Sequence, residues 1–131
     1  MHYKIYVSDR NYSEYDIYDA QTMKKLHEYP EIHPLRDKML NCDIFTIHKE
    51  GNTSLIHSPN RETQFISGVL VLQGNKTYGK YKNKYFYRCI PDDKRLPEFL
   101  IPYKVRVKFR KHQVNKYVVF KFSSWRKKHP I

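Results

Sequence analysis

The clearest alternation of apolar and polar positions lies in the second half of the chain. Successive side chains of a β-strand point to opposite faces, and residues 103–109 put four apolar or aromatic side chains on one face and three cations on the other. Residues 117–122 alternate less strictly. Residues 84–90 place Lys84, Phe86, Arg88 and Ile90 on one face and Tyr85, Tyr87 and Cys89 on the other. These segments predict a small antiparallel sheet or barrel with a basic, aromatic surface.

The first half of the chain predicts shorter elements. Residues 20–28 contain few apolar anchors and fit a helical turn or a loop equally well. Pro34 suits the first position of a short helix, which Asn41 can close in a left-handed conformation. The strands expected in this half are residues 3–8, residues 15–18, a strand beginning at Asp43 and a short strand at Leu55 and Ile56.

Turn-forming residues separate the elements of the second half. Residues 58–63 (SPNRET) form the most linker-like stretch. An apolar strand follows over residues 68–72, and Gly74 and Gly79 mark a hairpin-like excursion. Prolines stiffen residues 91–102, which predict a loop. Short strands, short turns and few helices are typical of an OB-type barrel, so the predicted fold is all-β with a minor helix, built as small antiparallel barrels.

Charge divides the chain into two unlike halves. Residues 1–60 carry 7 Lys or Arg against 9 Asp or Glu, whereas residues 61–131 carry 18 against 4. We therefore predict two domains with these bounds, a β-rich N-terminal module and a basic OB-type module. A positive charge gathered in one half indicates a polyanionic partner, because a merely solubilising surface intersperses both signs.

Length and cysteine content limit the class of protein. At 131 residues the chain can bury one ordinary core or two small ones, which argues against most large catalytic folds. Cys42 and Cys89 lie far apart beside apolar or aromatic residues, as expected of buried free thiols in a reducing compartment. Without a signal-peptide pattern at the N-terminus or an apolar run long enough to span a bilayer, the sequence predicts a cytoplasmic protein with no membrane partner.

Single-stranded nucleic acid is bound by cations that neutralise phosphates and by rings on which unpaired bases stack. Residues 78–88 supply both, and the cations of residues 104–110 form a stripe that could follow a phosphate backbone. The candidate nucleic-acid-binding residues are Tyr78, Lys80, Lys82, Lys84, Tyr85, Tyr87, Arg88, Lys94, Arg95, Lys104, Arg106, Lys108 and Arg110. Two alternatives stay open, since alternation buries some of these tyrosines and the stripe can equally be a solvated face. Trp125 is either a plug that closes the core, which the preceding phenylalanines favour, or a surface ring.

The sequence predicts no catalytic, cofactor or metal site in this chain. Asp92 and Asp93 would point to opposite sides of an extended chain, and their neighbours Pro91, Lys94 and Arg95 favour a charged turn. His48, His57 and Cys42 lack the spacing of zinc ligands. Neither a Gly-rich phosphate loop nor a nucleophile motif is present.

Several short motifs, taken in order, resemble the cold-shock-like OB region that precedes the catalytic domain of the RNase II and RNase R family. The motifs are GVLVL at 68–72, CIPDDKRLP at 89–97, NKYVVFKFSSW at 115–125 and HP at 129–130. Pro91, Asp93, Arg95 and Pro97 match the family pattern P-x-D-x-R-hydrophobic-P, and Trp125 matches the Trp that ends a strand. Residues 35–45 are similar to the short helix and turn of the family's first cold-shock-like domain.

This resemblance implies OB/cold-shock-like modules that guide single-stranded RNA to a 3′–5′ exoribonuclease active site. The catalytic domain, with its metal-binding aspartates and Mg²⁺, is expected beyond Ile131, so this chain itself would be non-catalytic and carry no cofactor. The divergence of the N-terminal third favours a viral member, located in the virion or the host cytoplasm.

Other readings of the same residues stay open. A free-standing basic nucleic-acid-binding structural protein, ribosome-associated or packaged in a virion, is the first. Single-stranded DNA is an alternative ligand to RNA, and the acidic first half (residues 1–60) is an alternative site for a protein partner.

Overall fold

The computed structural model describes residues 1–63, 65–74, 76–104, 114–126 and 129–131. The secondary structure is nearly all β, with 39% strand and 3% helix, in two antiparallel sheets. This confirms the all-β class with a minor helix. The chain forms two compact units, the first of residues 1–63 with 94–96 and the second of residues 64–93 with 97–131.

The first unit contains a five-stranded antiparallel sheet with the strand order β3-β2-β1-β4-β5. Its elements are β1 (Tyr3–Val7), β2 (Tyr15–Asp19), β3 (Lys25–Leu26), β4 (Ile44–Ile47), β5 (Thr53–His57) and a one-turn helix α1 (Pro59–Glu62). The core of this unit includes Ile5 of β1, Ile17 of β2 and Phe45 of β4, which lie on three neighbouring strands and are all buried. The strands predicted at residues 3–8 and 15–18 are confirmed by β1 and β2.

The stretch 34–41 forms hydrogen-bonded turns instead of the predicted short helix. The Met39 amide donates to the Pro34 carbonyl at 2.9 Å and the Lys38 amide to Leu35 at 3.2 Å. The left-handed residues are Lys38 (φ +59°) and Cys42 (φ +69°), so the prediction for Asn41 was wrong. The Asn41 side chain is buried and accepts a hydrogen bond from the amide of Val7 at 2.8 Å, which ties the turn to β1.

Asp43 is the centre of a buried polar network in the first unit. Its fully buried carboxylate accepts hydrogen bonds from the Leu40 amide at 2.9 Å, the Ser58 hydroxyl and the Arg61 guanidinium at 3.0 Å. Arg61 also donates to the carbonyl of Lys38. Helix α1, in the stretch expected to be a linker, is thereby fixed against the turn that precedes β4.

The network predicts how stability depends on pH. Burial raises the pKa of Asp43 above its ordinary value of 3.8, against the opposing effect of its hydrogen-bond donors. The folded state therefore binds this proton more tightly, and the resulting stabilisation is fully present below pH 3.8 and is lost as the pH rises through the folded-state pKa. We expect the unfolding free energy of the wild type, measured in urea relative to Asp43→Asn, to fall as the pH rises from 3.8 through the folded-state pKa of Asp43. A difference that grows with pH would mean that Arg61 outweighs burial.

The second unit contains a sheet in which β10, β6, β8 and β7 follow one another and β9 also pairs with β8. Its strands are β6 (Ile66–Leu70), β7 (Lys80–Tyr81), β8 (Lys84–Pro91), β9 (Phe99–Tyr103) and β10 (Lys116–Phe120). The loop predicted for residues 91–102 is wrong at its C-terminal end, where β9 begins at Phe99 and includes Pro102. Among the described residues β9 pairs with β8 alone, and an edge strand tolerates a proline such as Pro102, which has no N–H to donate.

The inner face of this sheet, which carries Leu70, Cys89 and Phe99, holds the core of the second unit. These three residues lie opposite one another across β6, β8 and β9 and are fully buried. Phe99 packs edge-on against Phe120 of β10 with ring centroids 5.0 Å apart, although β6 and β8 lie between their strands. The sheet is therefore strongly curled over its inner face, while closure into an OB-type barrel stays a prediction.

The end of the chain returns to this sheet. The Leu100 amide donates to the Pro130 carbonyl at 2.9 Å, and the Ile131 amide to the Ser124 carbonyl at 2.7 Å. Trp125 is buried, with 8% of its surface exposed. Burial of Trp125, the favoured of the two alternatives, is confirmed, while its role in closing a barrel stays a prediction.

Candidate nucleic-acid interface

A two-stranded ribbon, residues 78–86, carries three lysines and four aromatic rings within nine residues. β7 and the start of β8 pair around a two-residue turn in which Lys82 is left-handed (φ +54°), and residues 80–85 are all exposed. The opposite pairs are Lys80 with Tyr85 and Tyr81 with Lys84. Because directly opposite residues share a face, each face of the ribbon places a cation beside a ring.

Backbone hydrogen bonds extend the ribbon as far as Tyr78. The Tyr78 amide donates to the Phe86 carbonyl, and the Phe86 amide donates to the Gly79 carbonyl, both at 2.9 Å. Gly79 has a φ of +120°, a backbone conformation that residues other than glycine rarely adopt. Glycine at this position therefore lets the chain turn into β7 and fixes Tyr78 beside Phe86.

Two tyrosines of this region each lie beneath a lysine. The Lys76 ammonium is 5.2 Å from the centroid of the Tyr78 ring, and that of Lys82 is 5.6 Å from the Tyr81 ring. Exposed cation–π contacts are worth about 0.5–1 kcal/mol, so a phosphate could draw these lysines away at low cost.

Among the described residues, no acidic side chain pairs with the lysines in and beside the ribbon. Within the described parts of the chain, Lys76, Lys80, Lys82 and Lys84 form no ion pair. Arg88 differs, since its guanidinium lies 3.8 Å from the Glu98 carboxylate. Glu98 therefore partly neutralises the charge of Arg88, whereas the ribbon lysines have no such partner among the described residues.

Tyr85 and Tyr87 share a face of β8 but differ in exposure. Tyr85 is 48% exposed, whereas Tyr87 is 8% exposed and packs edge-on against Tyr103, with ring centroids 6.3 Å apart. A base cannot stack on Tyr87 unless the core opens. We therefore assign Tyr87 to the core and keep Tyr85 as a stacking candidate.

The remaining sequence candidates lie away from the ribbon in the chain. Lys94 and Arg95 are exposed and belong to the first unit. Lys104 is exposed directly after β9. Arg106, Lys108 and Arg110 lie outside the described residues, so the predicted basic stripe stays a prediction.

Sequence reasoning left Tyr81 out of the candidate residues. Its ring is 48% exposed, lies opposite Lys84 and has its centroid 5.6 Å from that of Phe86. The hairpin-like excursion predicted around Gly79 already contained Tyr81, and the lysines on either side of it, Lys80 and Lys82, are the signal that could have made it a candidate.

An open pocket of about 560 Å³ lies in the first unit. Arg36 and Lys49 line it together with Glu31 and Glu50, so cations and carboxylates are balanced there. This balance makes the pocket a poorer polyanion site than the ribbon.

Comparison with protein-family models, curated proteins and solved structures gives no match to this chain. Within the described residues no group of three or more His, Cys, Asp or Glu side chains could hold a metal ion. None of the helices in the described part of the chain has the length and apolar character to cross a membrane.

Proposed function

We propose that this chain binds single-stranded RNA through the β7–β8 ribbon. The observation that carries the proposal is the exposure of residues 80–85 together with lysines that have no acidic partner in the described structure. Lys80, Lys82 and Lys84 would contact phosphates, and Tyr81 and Tyr85 would stack bases. Such contacts involve only the phosphates of the RNA and the flat faces of its bases, so binding is sequence-tolerant and depends strongly on salt.

On the sequence resemblance, we place this binding in the N-terminal modules of an RNase II-type 3′–5′ exoribonuclease. The modules would hold the substrate strand and direct its 3′ end to a separate catalytic domain. A gene that continues past Ile131 into an aspartate-rich domain supports this placement. A stop codon at that point would favour the alternative, a free-standing basic nucleic-acid-binding protein.

Removing two ribbon charges is expected to weaken RNA binding and its salt dependence. Lys82→Gly suits the left-handed turn conformation, and Lys84→Gln keeps the length of the side chain, so the pair tests charge without disturbing the hairpin. For single strands the logarithm of the affinity falls by about 0.7 per contacted phosphate for each unit of log salt. The double variant is expected to lower this slope by about 1.4, as measured by fluorescence anisotropy of a labelled single-stranded RNA.

Lys24→Gln with Lys49→Gln is the matched control. It removes the same charge from exposed lysines of the first unit, and the slope is expected to stay unchanged. Duplex RNA and single-stranded DNA serve as comparison ligands. Equal slopes for both double variants, or no preference for single strands over the duplex, would contradict the proposal.

A further inference from the structure

Three residues form a row across the open end of the inner face of the second sheet. Lys80 of β7 lies opposite Tyr85 of β8, and Tyr85 lies opposite Tyr103 of β9. Directly opposite residues share a face, so a cation and two rings stand side by side on three adjacent strands. The row lies just beyond the buried Tyr87, which marks the edge of the core.

A fourth residue reaches this row from β10, at the other edge of the curled sheet. The Lys116 ammonium, on β10, donates a hydrogen bond to the Tyr103 hydroxyl at 2.9 Å and lies 5.5 Å from the centroid of its ring. β10 and β9 are separated in the sheet by β6 and β8, so the curl creates this contact. The resulting cluster of two lysines and two tyrosines is named the lysine–tyrosine bracket: Lys80, Tyr85, Tyr103 and Lys116.

The bracket has polar groups left to offer a ligand. Neither Lys80 nor Lys116 forms an ion pair with an acidic side chain in the described part of the chain. A tyrosine hydroxyl can both accept and donate, so Tyr103 can accept from Lys116 and still donate its own proton. The T-shaped contact with Tyr87, at 6.3 Å between ring centroids, holds the Tyr103 ring in place.

We propose that the bracket binds one nucleotide of the RNA strand, with the base on the Tyr85 ring and its phosphate on Lys116 and the Tyr103 hydroxyl. Tyr85 is half exposed and provides the open ring. Lys116 supplies the charge that neutralises the phosphate, and Lys80 can do the same for the neighbouring phosphate. This inference rests on the proposed single-strand binding and adds Tyr103 and Lys116, on β9 and β10, to the β7–β8 ribbon.

Base stacking and charge can be tested separately. Fluorescence anisotropy of a labelled RNA, titrated at several salt concentrations, gives both the affinity and its salt slope. Tyr85→Ala removes a stacked base contact and is expected to weaken binding by about 5- to 150-fold with the salt slope unchanged. Lys116→Gln is expected to lower the slope by about 0.7, the value for one phosphate. Tyr103→Phe keeps the ring and removes the hydroxyl, so we expect a several-fold weaker affinity at an unchanged slope.

Matched controls come from the same region of the chain. Tyr117→Ala removes the tyrosine of β10, which is 85% exposed, and Lys121→Gln removes an exposed lysine just beyond that strand; neither belongs to the bracket. Each control is expected to leave both affinity and slope near the wild-type values. Trp125 fluorescence during urea denaturation checks that every variant keeps the fold of the second unit.

Failure of the bracket can be told apart from failure of the proposed function. If the Lys82→Gly and Lys84→Gln pair lowers the slope while Lys116→Gln and Tyr85→Ala behave like their controls, the bracket is overturned and the ribbon stands. If Tyr117→Ala weakens binding and Tyr85→Ala does not, the base stacks on the opposite face and the bracket is again overturned. Absence of binding by the wild type overturns both.

Discussion

Asp43→Ala is expected to lower the unfolding free energy of the first unit by about 3–5 kcal/mol, the usual cost of breaking a buried ion pair. The substitution removes the acceptor of three hydrogen bonds, from Leu40, Ser58 and Arg61. The Arg61 side chain is only 20% exposed, so water cannot fully replace the lost carboxylate. The turn before β4 and helix α1 would both lose the group that joins them.

Hydrogen exchange of the β1 and β4 amides in urea measures this effect within the first unit. Asp16→Ala is the matched control, because Asp16 pairs with Lys25 at 3.2 Å on the surface and exposed pairs contribute less than about 1 kcal/mol. Similar losses of protection in the two variants would show that the Asp43 network contributes no more than a surface ion pair.

The strands that the sequence predicted well are those with strict local alternation. β1 buries every second residue along its whole length, and β8 does so from Tyr87 to Pro91. This period is visible in a few consecutive letters of the sequence. Helix α1 was missed because SPNRET has the composition of a linker. Hydrogen bonds to Asp43 hold the helix in place, and Asp43 is 15 residues from Ser58 and 18 from Arg61. A pattern in a few consecutive residues cannot predict contacts over that distance.

The candidate site shows the same division between local and distant information. Alternation placed Tyr85 and Tyr87 on one face, but which of them is exposed depends on how far β8 extends beyond the packed core. The contact between Tyr103 and Lys116 depends on the curl of the whole sheet, so neither residue had a sequence signal for binding. Gly74 and Gly79 predicted a hairpin-like excursion in this part of the chain, but the turn between β7 and β8 lies at Lys82 and Asn83.

Gly68→Ala is expected to destabilise the second unit by about 2–3 kcal/mol, toward the upper end of the range for overpacked cores. Gly68 lies on β6 between Pro91 of β8 and Val118 of β10. A Cβ atom there would lie 2.7 Å from the Ile90 carbonyl oxygen and 3.0 Å from the Pro91 Cα. Both atoms belong to the backbone, so relief requires β6 and β8 to move apart.

Trp125, the single tryptophan of the chain, makes this prediction specific to the second unit, because its buried ring changes fluorescence when that unit unfolds. Ser67→Ala is the control from the neighbouring position. The Ser67 side chain is exposed and donates only a surface hydrogen bond to Asp92, which is worth about 0.5–1.5 kcal/mol at most. Because Ala fits an ordinary strand conformation, a large loss in Gly68→Ala would come from steric contact between β6 and β8. If Gly68→Ala and Ser67→Ala have the same urea midpoint, β6 and β8 have room for a methyl group between them, which would contradict the prediction.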